Sequence, residues 1–207
     1  MRLSSSLFLV VEDDATLART LSRYLEQFGA VEIAPSIAAA DATLPRLHTV
    51  TGLIVDVGLG DGSGLDWLRK VRAAGERVPA LVLTASRGTN VIAEAQLSDA
   101  HYLPKPPREA NLLAFVERSR RERSRLRERL RQDVHAFSQR YALSPREEEA
   151  LQLAASGVQR HQLADALGVE ETTTKTIVRN LLRKVHKGAL ADAVSEIHRS
   201  VFDDRTG

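Results

Sequence analysis

The sequence predicts an α/β fold, a doubly wound sheet of five parallel strands, followed by an all-α module, with one long helix joining the two. Three observations carry that expectation. Over residues 1–107, short apolar runs rich in β-branched residues alternate with helical patterns, the order that builds a parallel sheet covered on both faces. Residues 108–141 contain neither Gly nor Pro and are dense in Arg, Glu, Leu and Gln. Nothing stops a helix there, and at 1.5 Å per residue it would be about 50 Å long. Residues 142–207 hold further helical patterns punctuated by Gly157 and Gly168, with no strand-like run.

The chain has 207 residues, enough for two small domains, and no cysteine, so disulfides and thiol chemistry are excluded. The apolar run at 7–11 is too short for a signal peptide or a membrane span and ends in acids. A cytoplasmic protein with no membrane partner is expected. Charge is unevenly divided. Residues 1–107 hold 10 Lys/Arg against 12 Asp/Glu, residues 108–141 hold 10 against 5, and residues 142–207 hold 9 against 10. The basic excess therefore sits in the connector, which argues for separate modules.

Taken in order, residues 7–11 form a buried-type strand followed by Glu12, Asp13 and Asp14. A helical pattern over 15–28 puts Leu17, Leu21, Tyr24, Leu25 and Phe28 on one stripe, with Gly29 as its stop. Residues 31–34 are a short strand, and Ser36 caps a helix that ends around Pro45. The run Leu53-Ile54-Val55-Asp56 is apolar enough to be covered on both faces. It passes into Gly58-Leu59-Gly60-Asp61-Gly62-Ser63-Gly64, where glycine at four of seven positions predicts a tight, strained turn. A helix over 65–74 points Leu65, Leu68 and Val71 inward, and Gly75 and Pro79 bracket its exit. Residues 80–83 form a strand ending at Thr84, and a helix is expected near 90–97. A short strand at 101–103 ends at Pro104-Lys105-Pro106-Pro107, and the last helix of the module starts near Arg108.

In an open α/β sheet, chemistry gathers at the carboxyl ends of the strands. There the pattern places Glu12, Asp13, Asp56, Thr84 and Lys105. A lone Asp56 is equally well a helix cap, or a carboxylate taken up by the amides of its turn. The set reads differently. Three carboxylates a few ångströms apart do not all stay ionised without a counter-charge. Mg²⁺, which prefers few protein oxygen ligands with water completing the shell, answers that need. Lys105 brings a second positive charge and Thr84 a hydroxyl donor. Such a site is suited to holding a phosphoryl group on the Asp56 carboxylate.

These residues give residues 7–118 a resemblance to the receiver domain of two-component response regulators, a flavodoxin-like fold, with the domain expected over 1–118. The matching motifs are the acidic pair Glu12-Asp13, Asp56 within Asp-x-x-Leu-x-Asp-Gly-x-Gly-Leu, Thr84-Ala85 and Lys105-Pro106. The resemblance implies that Asp56 accepts phosphate from a sensor histidine kinase. It implies Mg²⁺ held by Asp13, Asp56 and the Gly58 carbonyl, with Glu12 acting through water. Lys105 would contact the phosphate, and Thr84 and Tyr102 would form a switch pair, although Tyr102 also reads as a plain core aromatic. Some positions depart from the family. Gly60 stands where Pro is usual, which makes the turn looser, and Pro107 replaces an aromatic. Ser98-Asp99-Ala100 replaces a common Gly-Ala, and Gly58 has no side chain to steer an attacking water.

In the connector, taken as residues 119–141, Leu126, Leu130, Val134, Phe137 and Tyr141 recur at helical spacing. Two readings stay open: a helix resting on the two domains, or a coiled-coil stalk of a parallel dimer. Arg123 and Asp133 interrupt a strict heptad, yet the stalk is the expectation adopted.

Residues 142–207 open with Ser144 as a cap, Pro145 in the first turn and Glu147 completing a capping box. Helices are expected to Ser156, over 160–167, over 172–186 and over 189–201. Two short helices joined by a Gly-containing turn suit a helix-turn-helix. The third helix carries Lys175, Arg179, Arg183, Lys184 and Lys187 against Glu171, with Ile177, Leu181 and Val185 as its inward stripe. Lys175, Thr176 and Arg179 face the other way near its N-terminal half, the part that reaches base edges.

The module resembles the LuxR-type helix-turn-helix of NarL/FixJ-like regulators. Matching residues are 143–147 (Leu-Ser-Pro-Arg-Glu), Leu151, Ala154, Gly157, Leu163-Ala164, Leu167-Gly168, Thr173, Lys175 and Lys184. It departs at Glu170, Thr174 and Ile177. The resemblance implies binding of double-stranded DNA through Lys175, Thr176, Arg179, Arg183 and Lys184. It also implies a homodimer, at least when phosphorylated or on DNA, paired through Leu190, Val194 and Ile197, residues that packing within the domain also explains.

Together these readings predict a transcription regulator, not an enzyme, whose receiver surface, dimerisation and DNA occupancy respond to phosphorylation of Asp56. An aspartyl phosphatase of the haloacid-dehalogenase kind needs a second Asp two residues after the first, where Gly58 stands. A receiver-like regulator that acts through partners without phosphorylation is the remaining alternative.

Overall fold

The computed structural model describes residues 6–85 and 99–203, with side chains through 197. The chain divides into two compact units, residues 1–123 and 124–207. The helix expected near 90–97 lies outside the described residues. Among the described residues, no helix is long and apolar enough to cross a membrane.

In the first unit, β1 (Ser6–Val11), α1 (Ala15–Leu25), β2 (Gly29–Ala34), α2 (Ile37–Asp41) and β3 (Gly52–Asp56) follow one another. A hairpin of β4 (Gly58–Leu59) and β5 (Gly62–Ser63) leads into α3 (Gly64–Ala73). Then come β6 (Ala80–Thr84), β7 (Ala100–Pro104) and the long α4 (Glu109–Arg140). The five long strands pair in the order β2-β1-β3-β6-β7, all parallel. The order reverses at β1, so a crevice opens between the carboxyl ends of β1 and β3, where such sheets bind their ligands.

Period-two alternation divides each strand between two cores. Leu9, Val11, Leu53, Val55 and Val82 pack with Ala40 of α2 and with Leu65, Leu68 and Val71 of α3. Phe8, Val10, Ile54, Leu81 and Leu83 pack with Leu21 and Leu25 of α1 and with Leu112, Phe115 and Val116 of α4. Every residue of β3 is buried, as its unbroken apolar run predicts.

Several boundaries differ from the pattern, each for a local reason. Helix α1 stops at Leu25, and Gly29 opens β2 instead of ending the helix. A Cβ on Gly29 would stand 2.2 Å from the Ser6 carbonyl oxygen, so glycine is required by the approach of β1 and β2. Ser36 caps α2 through the Ala39 amide, but the helix is short and Pro45 starts a 3₁₀ turn over Leu44–Thr49. The glycine-rich stretch is an ordered hairpin. Gly64 begins α3 directly against the end of β3, where a Cβ would meet the Asp56 carbonyl oxygen at 1.9 Å.

The second unit holds the end of α4, then α5 (Pro145–Ala155), a 3₁₀ turn at Arg160–Gln162, α6 (Leu163–Leu167), α7 (Glu171–Val185) and α8 (Leu190–Asp203). The expected helix over 160–167 is thus part 3₁₀, and Gly168 ends it in the left-handed conformation at φ 65°. The core joins Val134, Phe137, Leu151, Leu163, Val178, Leu181, Val185 and Ile197. In α7 the inward set is Thr174, Val178, Leu181 and Val185, with Ile177 only half-buried. Spacing by four alone drifts off a 3.6-residue helix, and Val178 takes the core position given above to Ile177.

Two observations bear on the connector. Val134 and Phe137 are buried in the second unit's own core, with Leu130 and Tyr141 packed beside them; Leu126 remains exposed. From Leu130 to Tyr141 the apolar stripe is therefore covered within the chain itself. Residues 119–123 go with the first unit. Arg120 donates to the Phe28 carbonyl and Ser6 Oγ, and Arg123 to the Val50 and His48 carbonyls at 2.6 and 2.7 Å. In α8, Leu190 and Ile197 are likewise core residues, and Val194 is half-buried against them.

Gly64→Ala should destabilise the first unit by about 3 kcal/mol or more, because backbone, not a flexible side chain, blocks the added methyl. Urea denaturation followed by circular dichroism checks it, with Gly75→Ala as a comparison at an uncrowded position whose φ of 89° makes it strained for a different reason.

Candidate functional site

Strand register brings the acidic residues together. Val11 pairs with Val55, so Glu12 and Asp56 leave the sheet side by side. Asp56 pairs with Leu83, which puts Thr84 one step beyond, and Thr84 pairs with Pro104. The Lys105 amide donates to the Thr84 carbonyl at 2.8 Å, which delivers the lysine to the same edge.

The Lys105 ammonium lies between two carboxylates, 2.7 Å from Glu12 Oε2 and 2.9 Å from Asp56 Oδ2. Glu12 and Asp56 are buried, at 1% and 6% exposure, and Asp13 is open to solvent. One carboxylate oxygen from each of Glu12, Asp13 and Asp56 lies within 4.8 Å of the other two. Burial holds Glu12 above the ordinary carboxylate range, opposed by its hydrogen bond from Lys105 and reinforced by the Asp56 charge. Burial alone would lower Lys105, but the hydrogen bonds to Glu12 and Asp56 outweigh it and hold the ammonium above the usual lysine range. The edge therefore keeps its positive charge.

Lys105 touches Glu12 at both oxygens and Asp56 at Oδ2, and Asp13 stands outside that bridge, within reach of a cation shared with Asp56. Hard oxygen donors this close, with one ammonium against three acids, fit Mg²⁺. Gly58 lies in β4 at the exposed rim, with open space around its Cα. Thr84 is buried, at 3% exposure. Tyr102 pairs in register with Val82 and packs half-buried on the apolar core. Gly60, noted above only for a looser turn, donates its amide to Asp13 Oδ2 at 3.0 Å. The signal for this was present, since glycine in place of proline restores an N–H, but its target is 47 residues away.

In the second unit, the exposed face of α7 carries Lys175, Thr176, Arg179 and Arg183. Glu171 pairs with Lys175 at 3.2 Å, an exposed contact that leaves the ammonium free to exchange partners. Lys184 is placed differently. Its ammonium is bound inside the unit, 2.7 Å from Glu147 Oε2 and 2.9 Å from the Ala142 carbonyl. Glu147 also takes the Ser144 amide at 2.7 Å, so one lysine fastens α7 to the capping box of α5.

Beside α7, a cleft of about 430 Å³ is lined by Arg160, Lys175, Thr176, Arg179, Lys187 and Gly188. Arg160 was missed in the sequence because it sits across the turn, on the 3₁₀ segment. A larger groove, about 770 Å³ between α4 and α5, is lined by Arg131, Glu148 and Glu149 among others and lacks the single sign of charge.

Comparison with known proteins agrees with both halves. Residues 8–117 match the family described as response regulator receiver domain, and residues 141–196 match bacterial regulatory proteins, luxR family. The chain is similar to nodulation protein W of Bradyrhizobium diazoefficiens, 30% identical over 92% of this chain and 85% of that protein. It is 28% identical to the transcriptional regulatory protein FixJ of Azorhizobium caulinodans, over 89% and 88% of the two chains. Among solved structures, the response regulator StyR matches over 94% of this chain and 99% of its own, with TM-score 0.52 and 26% identity. Full-length FixJ from B. japonicum matches in fold over 92% and 94%, with TM-score 0.53 and 24% identity.

Lys184→Met should destabilise the second unit by about 2 kcal/mol, the worth of charge-assisted hydrogen bonds to a buried carboxylate. Burial alone would raise Glu147, but Lys184 and the Ser144 groups outweigh it and hold it below the usual range. Its stabilisation is therefore complete above the ordinary glutamate range and is lost as pH falls toward the lower folded value. Thermal denaturation from neutral to acid pH checks both points, with a flatter acid limb expected for the variant.

Proposed function

Because the chain belongs to the response-regulator family, with a receiver domain ahead of a LuxR-type DNA-binding domain, we propose that it is a transcription regulator switched by phosphorylation of Asp56. One observation carries this: Lys105 bridges Glu12 and Asp56 at the carboxyl edge of the sheet, with a carboxylate oxygen of Asp13 within 4.8 Å of both acids.

In the proposed reaction, a sensor histidine kinase presents a phosphohistidine. An Asp56 carboxylate oxygen attacks phosphorus, the P–N bond breaks as the P–O bond forms, and the freed imidazole takes up a proton. Lys105 offsets the charge on the transferring oxygens, and the Thr84 hydroxyl donates to one of them. Asp13, Asp56 and the Gly58 carbonyl would hold Mg²⁺, with Glu12 acting through water. The ion supplies positive charge beside the phosphoryl oxygens.

The product carries about −1.5 to −2 charges on Asp56. Thr84 is drawn toward it, Tyr102 turns into the space left, and the surface at the ends of β6 and β7 changes its binding preference. The output follows in the second unit. Helix α7 enters the major groove, with Lys175, Thr176 and Arg179 toward base edges and Arg183 toward phosphate. Arg160 and Lys187, which share the cleft with them, lie on the backbone side. Lys184 contributes by fixing α7. A homodimer formed on phosphorylation or on DNA completes the reading.

Incubation with Mg²⁺ and a small phosphodonor should place an acyl phosphate on Asp56, detected by intact-mass measurement and absent in Asp56→Asn or in chelator. No adduct on the parent chain favours regulation through partners alone. On DNA, Lys175→Ala or Arg179→Ala should cost about 1–3 kcal/mol at the preferred site. Arg183→Ala or Arg160→Ala should instead weaken binding to all sequences and lower the salt slope by about one. Fluorescence anisotropy across a salt series separates the two classes, and unchanged slopes count against this face.

A further inference from the structure

The loop after Asp56 donates a backbone amide to Asp13, a contact outside the phosphoryl chemistry above. We propose that the backbone amide of Gly60 is a positioning group for Asp13, holding that carboxylate ready for a divalent cation. The inference rests on the reading of Asp13 as a metal ligand.

Gly60 N lies 3.0 Å from Asp13 Oδ2. Asp13 is solvent-exposed, and among the described residues no other hydrogen bond or ion pair reaches its side chain. Left alone, an exposed aspartate samples several rotamers, and a cation that captures it must fix one of them. The Gly60 amide fixes it beforehand and leaves Oδ1 for the ion. The amide dipole also sets partial positive charge against a cluster of three carboxylates that has one ammonium in it.

The amide is itself held. Gly58 pairs with Ser63 and Leu59 with Gly62, so residue 60 sits in the tip of an ordered hairpin. On the outer side, Asp61 accepts from the Ile37 and Ala38 amides at 2.9 and 3.1 Å, tying the tip to the start of α2. At the base, the Gly64 amide donates to the Val57 carbonyl at 3.0 Å. The hairpin therefore acts as a strut that carries one N–H to the metal ligand, as outer-shell donors commonly do.

The position allows a clean test. A Cβ on residue 60 would stand 3.6 Å from Asp13 Oδ2, an ordinary contact, and φ there is not in the left-handed region. Gly60→Ala thus keeps the donor, and Gly60→Pro deletes it. Calorimetric titration of the full chain with Mg²⁺ should give a dissociation constant raised about tenfold in Gly60→Pro and close to the parent value in Gly60→Ala. Hydrogen exchange supplies a readout that does not depend on the proline variant folding. The Gly60 amide should be protected in the parent chain without metal and lose that protection in Asp13→Ala. Equal affinity in Gly60→Pro, loss in both variants, or a freely exchanging Gly60 amide in the parent each overturn the inference while leaving the pocket's metal binding intact. A parent chain that binds no Mg²⁺ overturns both this inference and the metal reading beneath it.

Discussion

The Lys105 ammonium, set between Glu12 and Asp56, is the interaction on which the carboxyl edge of the sheet depends. Two buried carboxylates side by side repel strongly in a medium less polarisable than water. Each sits where it does because parallel pairing of β1 and β3 allows no other exit for the chain. The compensating charge comes from the sheet's far side, since β7 is separated from β3 by β6. Two strand spacings are roughly 10 Å, so only a long side chain crosses. Lysine combines that reach with a compact head that fits between two carboxylates, whereas arginine presents a planar fork. The same geometry leaves Asp13 outside the ion pair, free to face solvent.

The hairpin that follows β3 solves a related problem at the rim. On the proposed reading Asp13 is an exposed ligand, and its support must not add charge, because another acid would raise the repulsion and another base would compete with the cation. A backbone amide meets both conditions. Its delivery depends on Gly64, whose missing side chain lets α3 start against the Asp56 carbonyl. It also depends on Asp61, whose carboxylate satisfies amides at the start of α2. The glycines in this stretch thus serve separate ends, close approach at 64 and an available N–H at 60.

What could be read from the sequence follows from the range of the interactions involved. The strands and their terminal residues were legible because parallel pairing and burial on both faces leave local marks: apolar runs, then acids, threonine or lysine at their ends. The capping box at Ser144 and Glu147 was legible for the same reason. Lys184 was not, because its partner Glu147 lies 37 residues away and its spacing alone puts it with the outward cations. The periodicity of Leu130, Val134 and Phe137 marked an amphipathic helix correctly but carried no record of what covers it. An apolar stripe looks the same whether a second chain or the chain's own α5 to α8 lies against it. Gly29 shows the converse, since a glycine that looked like a helix stop is required by the sheet.

On the proposed reading, helix α4 raises the question of how a phosphorylated pocket influences DNA binding. Its first part is anchored by Phe115 and Val116 in one core, its last part by Val134 and Phe137 in another. Residues 124–129 between them are exposed, with pairs such as Glu128–Arg131 at 2.8 Å that stabilise a helix by only a few tenths of a kcal/mol. The Arg120 and Arg123 anchors grip Ser6, Phe28, His48 and Val50, which flank the amino ends of β1, β2 and β3. The acidic pocket is at the opposite, carboxyl edge. On the proposed reading, phosphate at Asp56 acts a full strand length away from those anchors, through Thr84 and Tyr102 on β6 and β7. The surface formed by those two strand ends is then the shorter route outward, because the arginine contacts lie at the far edge of the sheet.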